Sequence, residues 1–158
     1  MKLKRLGHIL LLVSDIRRSK DFYTRILGFH VLEEDPAHDG VVFLGLGENS
    51  HTVDLKPSPD APARRSDVDF FQCHELGFHH AAFPVDSHEE LEDAYYSLVD
   101  RGVKILTALD HINQESIYFG DPDGNILEIY WERPNALEIW KQGRGDVDKE
   151  LIFSRPAK

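Results

Sequence analysis

Two kinds of apolar spacing alternate along the chain, and they do so twice in the same order. The run Ile9 to Val13 is continuously apolar and of strand length, and Ile16, Phe22, Tyr23, Ile26 and Leu27 then recur at helical spacing. Asp15 or Ser14 is placed to cap that helix and Gly28 to end it. Three short segments of strand character follow: HVLEED, GVVFLGL and HTVDLKP. From Phe78 the order begins again. FHHAAFPVDS predicts a strand, and Leu91, Ala94, Tyr95 and Leu98 fall on one face of a helix stopped by Gly102. VKILTAL, ESIYFGD and NILEIYW complete the second set of strands.

The prediction is a βαβββ module repeated over residues 5–56 and 76–133. Neither module buries its apolar face alone, so the expected fold is α+β, with paired modules forming a curved mixed sheet around a pocket. Asp39-Gly40 and Asp121-Pro122-Asp123-Gly124 are the expected turns, because Asp opens a turn and Gly accepts positive φ. Residues 57–75, rich in Pro, Asp and Ser around Phe71 and Cys73, read as the linker between modules. Residues 134–158 form a tail with a short helix, ALEIWKQ, whose Ile139 and Trp140 offer an apolar face for packing or for a second copy in a homodimer.

At 158 residues, the chain is expected to be a single domain. A net charge of -10 repels phosphate backbones, so nucleic acid and anionic membranes are not expected as partners. The apolar run Ile9 to Val13 is too short for a signal h-region or a membrane span, and a cytoplasmic location is expected. Cys73 is the single cysteine, so no intrachain disulfide forms, and any metal must be held by imidazoles and carboxylates.

Polar residues interrupt the apolar strand faces at corresponding places. His8 alternates with Leu10 and Leu12, and His80 alternates with Ala82. In NILEIYW, Glu128 shares a face with Ile126 and Tyr130, where a carboxylate needs a partner. Two histidines and one carboxylate on strands suit a facial metal site with three open positions, selecting Fe(II) first, with Mn(II) or another first-row ion as alternatives. His79 competes with His80, but the repeat selects His80 and leaves His79 on the exterior of the sheet.

GHILLLVSDIRRSKDFYTRILGF, HHAAFPVD and IYFGDPDGNILEIYWERP resemble the vicinal oxygen chelate superfamily of glyoxalase I, fosfomycin and bleomycin resistance proteins and extradiol dioxygenases. The resemblance covers about residues 5–134 and implies that His8, His80 and Glu128 bind one divalent metal inside the paired modules. Glyoxalase I carries a glutamate ligand in the closing strand of its first repeat. Here that strand is HTVDLKP, and His51, read on one face with Val53 and Leu55, resembles the acid-base histidine of extradiol enzymes. His111 and Tyr118 resemble the histidine that those enzymes hold just behind the metal ligands and their substrate-contacting tyrosine.

The resemblance therefore implies a small-molecule substrate, an ortho-dihydroxy aromatic, with O2 as co-substrate. Phe43, Phe71 or Phe83 is available to stack on the ring. A metal-dependent isomerase, lyase or thiol transferase is the alternative within the same site. A drug-sequestering module is a second alternative, which the complete ligand set argues against.

Overall fold

The computed structural model describes residues 5–35, 40–48, 51–61, 77–143, 145 and 148–155. Asp39, Phe71, Cys73 and most of the expected linker lie outside these residues. The chain divides into two units, Met1–Arg64 and Arg65–Lys158.

In the first unit, β1 (Ile9–Val13) leads into α1 (Ile16–Asp21) and then β2 (His30–Asp35), β3 (Val41–Gly45) and β4 (His51–Pro57). These strands form one sheet in the order β1-β4-β3-β2. The β1–β4 pair is parallel and the other two pairs are antiparallel. Asp15 caps α1 as expected, its Oδ1 accepting from the Arg17 and Arg18 N–H groups at 2.9 and 3.1 Å. The expected single helix changes character part-way: Phe22–Ile26 is a π-helical turn in which Leu27 N–H reaches back to the Phe22 carbonyl. That turn directs Phe22 and Tyr23 into the core, where Leu44, Val53 and Leu55 are fully buried. Each such side chain contributes roughly 1.5–3 kcal/mol on leaving water.

The second unit repeats this plan with β5 (His80–Val85), α2 (His88–Asp100), β6 (Ile105–Asp110), β7 (Gln114–Gly120) and β8 (Ile126–Glu132). It then adds α3 (Ala136–Gln142) and the two-residue strand β9 (Lys149–Glu150). The sheet order is β5-β8-β7-β6-β9. One face of β7 and β8 buries Ile117, Phe119 and Leu127, and α2 contributes Leu91 and Leu98 to the buried set. Glu115, also buried, is satisfied by His88 at 2.5 Å and by Arg133 at 2.7 Å.

The fold is thus α+β, two mixed sheets with few helices. No helix among the described residues is long and apolar enough to cross a membrane.

Candidate functional site

Strand alternation leaves each sheet with a polar cluster on the face opposite its buried core. In the second unit, β5 and β8 run parallel with Ala82 across from Glu128, so His80, two residues before Ala82, lies on the Glu128 face. His80 Nε2 is 2.9 Å from Glu128 Oε2. Glu128 is 3% exposed, and Gln114 Nε2 donates to its other oxygen at 3.0 Å. Burial pushes the Glu128 carboxyl up, but hydrogen bonds from His80, Ser116 and Tyr118 and the charge of His80 outweigh it, and the carboxyl is held below the usual range.

Tyr118 lies across from Glu128 in the β7–β8 ladder, and its ring meets the His80 ring edge-on at 5.5 Å. Burial, reinforced by the Glu128 charge, drives the Tyr118 hydroxyl far above its ordinary value. The phenol stays protonated throughout the physiological range. His111 Nε2 is 2.9 Å from the Tyr118 hydroxyl. His111 sits at the β6–β7 turn, where Ile112 is the only non-glycine of the described residues with positive φ, at 74°. That conformation is costly for a β-branched residue and is sustained by Asp110 Oδ1, which accepts from Ile112 N–H at 2.8 Å.

β5 begins at His80, and the part-buried His79 just before it has its Nδ1 2.8 Å from His80 Nδ1. With Nδ1 engaged there, His80 presents Nε2 to Glu128.

The first unit carries the other expected residues. His8 precedes β1 on the face of Leu10, and Leu10 is paired with Asp54. His51 differs from expectation. The β3–β4 register shifts so that Leu44 pairs with Val53 and Gly45 with His51, leaving Thr52 as an extra residue. An extra residue reverses the alternation, so His51 leaves the Val53–Leu55 face and joins Asp54. There His51 Nε2 is 3.0 Å from His8 Nδ1, and its ring stacks on Phe43 at 5.8 Å.

Asp54 is the residue that the strand reading overlooked. It is 2% exposed, lies 3.7 Å from His8 Nε2 and 3.6 Å from His51 Nδ1, and its Oδ1 has no hydrogen-bond partner. Among the described residues, His8, His51 and Asp54 are the one group of three whose donor atoms lie close enough to share a metal ion. A buried carboxylate oxygen without a donor, beside two imidazoles, suits a divalent cation. Aligning Val53-Asp54-Leu55 with Leu127-Glu128-Ile129 would have found it: Asp54 pairs with Leu10 as Glu128 pairs with Ala82.

Residues 5–129 match the family described as the Glyoxalase/Bleomycin resistance protein/Dioxygenase superfamily. The chain belongs to that superfamily. Within it, the chain is 31% identical over 123 residues to biphenyl-2,3-diol 1,2-dioxygenase 2 of Rhodococcus globerulus, covering 78% of this chain and 60% of that protein. It is also 31% identical over 134 residues to the metallothiol transferase FosB of Staphylococcus epidermidis, covering 81% of this chain and 84% of that protein. A solved glyoxalase family protein from Enterococcus faecalis matches with 30% identity and a TM-score of 0.64, over 82% of this chain and 99% of that one. The superfamily thus joins this chain to dioxygenases and to a transferase alike, and it spans about 60% of the dioxygenase it matches.

Proposed function

We propose that the protein is an extradiol-type dioxygenase that cleaves the ring of an ortho-dihydroxy aromatic with O2, using one divalent metal, Fe(II) first, held by His8, His80 and Glu128. The observation that carries this reading is the group around Glu128: a strand histidine on the carboxylate and a buried, protonated Tyr118 backed by His111. Similarity to a biphenyl-diol dioxygenase supports it. When bound, the metal supplies a Lewis-acidic centre where the diol and O2 meet, making their encounter intramolecular.

The chain's own residues then move and hold protons. Asp54, 3.6 Å from His51 Nδ1, favours the proton on that nitrogen and makes Nε2 the basic atom, which would leave its contact with His8 Nδ1 to take a proton from a diol hydroxyl. Because Tyr118 keeps its proton, it meets substrate oxygen as a neutral hydroxyl rather than as a phenolate base. Phe43, stacked on His51, orients that imidazole. In this reading the protein works in the cytoplasm as a homodimer, with a second copy covering Leu137 and Trp140, which stand exposed on α3.

The test is O2 uptake and ring-opened product from a panel of catechols with Fe(II)-loaded protein. Uptake that tracks catechol consumption supports the reading; absence of uptake across the panel discards it.

Asp54 favours a second reading. If its orphaned oxygen joins the metal as a fourth ligand, the chemistry moves towards isomerisation or thiol transfer, which need no O2. Asp54→Asn would then weaken metal binding as severely as Glu128→Gln, and turnover would persist under anaerobic conditions.

A further inference from the structure

The segment after α3 reaches the cluster around Tyr118. β9 pairs antiparallel with the edge strand β6, setting Lys149 across from Asp110 and Glu150 across from Leu109. Leu151 N–H extends the ladder by donating to the Ala108 carbonyl at 3.0 Å. Beyond it, Phe153 packs on the rings of Tyr95 and His88, and Arg155 pairs with Asp100 while covering the Tyr96 ring at 4.6 Å. Three kinds of contact therefore anchor residues 149–155: strand pairing, aromatic packing and an ion pair.

This anchoring fixes the residue just before β9. Asp148 Oδ1 lies 2.9 Å from His111 Nδ1, and the opposite ring nitrogen of His111 lies 2.9 Å from the Tyr118 hydroxyl. The His111 side chain is 14% exposed, so both nitrogens are committed to these partners in a largely dry setting. An imidazole held by a carboxylate at Nδ1 carries its proton there and presents Nε2 as an acceptor. The Tyr118 O–H then has two acceptors within reach, His111 Nε2 and the Glu128 carboxylate, and the tautomer of His111 decides whether the proton points to the ring.

We propose that Asp148 is a positioning residue of the site: it fixes the tautomer and orientation of His111, and through His111 the direction of the Tyr118 hydroxyl. The segment 148–155 is then a working part of the site as well as a packing element. The consequence for turnover rests on the dioxygenase reading, whereas the tautomer does not. A neutral His111 without a carboxylate partner redistributes between its two tautomers, and in the Nε2–H form it faces Tyr118 as a donor, which makes the phenol turn away.

The test compares wild type with Asp148→Ala, Asp148→Asn and Asp148→Glu. The ring nitrogens of His111 are read by long-range 15N–1H NMR, and kcat and KM are measured with a catechol. In the wild type, His111 should show a protonated Nδ1 and an unprotonated Nε2. Asp148→Ala should mix the two tautomers and lower kcat about 10- to 100-fold, with KM changed only a few-fold, as for other partners that orient a functional group. Asp148→Glu should recover part of both signals. Asp148→Asn, nearly isosteric, guards against a folding artefact: its amide oxygen still accepts from Nδ1–H, so it should keep most of the tautomer while losing the charge. An unchanged His111 signature in Asp148→Ala overturns the proposal, and so does a changed signature with unchanged kcat. Wild type that consumes no O2 fails the dioxygenase reading, and the ring-nitrogen signature still decides whether Asp148 positions His111.

Discussion

His80 and Glu128 stand on neighbouring parallel strands with Nε2 and Oε2 2.9 Å apart. The contact joins a half-exposed imidazole to a buried carboxylate that also accepts from Gln114. Glu128 is the anionic member of the proposed ligand set and the one held most firmly by its surroundings. Glu128→Gln should therefore lower metal occupancy after reconstitution with Fe(II) or Mn(II), measured by elemental analysis, while the fold is retained. Occupancy equal to wild type would move the ligand role to another carboxylate, Asp54 first.

The same carboxyl gives the metal-free protein an acid-sensitive term. Its pKa is lowered in the folded state, so the unfolded chain binds the proton more readily. The stabilisation is complete above the ordinary glutamate range and is lost as pH falls through the lower folded value. Between about pH 5 and about pH 3, denaturant midpoints of wild type should fall more steeply than those of Glu128→Gln. Parallel acid limbs would show that the carboxyl titrates alike in both states.

For Tyr118 the sign is the reverse. Burial raises its pKa, so the folded chain keeps a proton that the unfolded chain gives up at high pH. Its contribution is present below the ordinary tyrosine value and is lost as pH rises beyond it. Alkaline spectrophotometric titration should leave fewer phenols ionising in wild type than in the denatured chain, and Tyr118→Phe should narrow that difference by one phenol, Tyr96 and Tyr130 also being raised by burial. A Tyr118→Phe titration that keeps the full wild-type difference contradicts the buried, carboxylate-facing placement.

His51→Ala and His51→Gln separate metal binding from proton transfer. Metal should remain at wild-type occupancy, while kcat with a catechol should fall by roughly 10² to 10⁴, the usual cost of losing a general acid-base group. Equal loss of metal and activity would make His51 a ligand, joined with His8 and Asp54.

Asp121 supports the turn before β8. Its Oδ1 accepts from the Asp123 and Asn125 N–H groups at 2.9 and 2.8 Å, its Oδ2 accepts from Asn125 Nδ2 at 2.9 Å, and Gly124 takes a φ of 82°. Asp121→Ala leaves those donors unsatisfied and should destabilise the protein by about 1–3 kcal/mol in urea unfolding, with the slope unchanged. A shift well below that range would mean that water replaces the carboxylate at little cost.

Much of the architecture was legible in local periodicity. The doubled strand–helix–strand order and the alternation that sets His80 with Ala82 and Glu128 with Ile126 follow from spacings of two and 3.6 residues, and the Asp15 cap from the residue type at a helix start, none of which refers to neighbours in space. Where a feature depended on register or on a distant strand, the sequence was silent. Thr52 is an unremarkable residue in HTVDLKP, yet as an extra residue against β3 it turns His51 from the buried face to Asp54, because one inserted position inverts every side chain before it. Asp54 looked like any charged residue in a strand until pairing set it across from Leu10, as Glu128 is set across from Ala82. Asp148 is far from His111 along the chain, and only the β9–β6 pairing brings its carboxylate to the ring. Side-chain period is a property of the chain, but which strand lies beside which, and at what offset, is settled only by the contacts that folding closes.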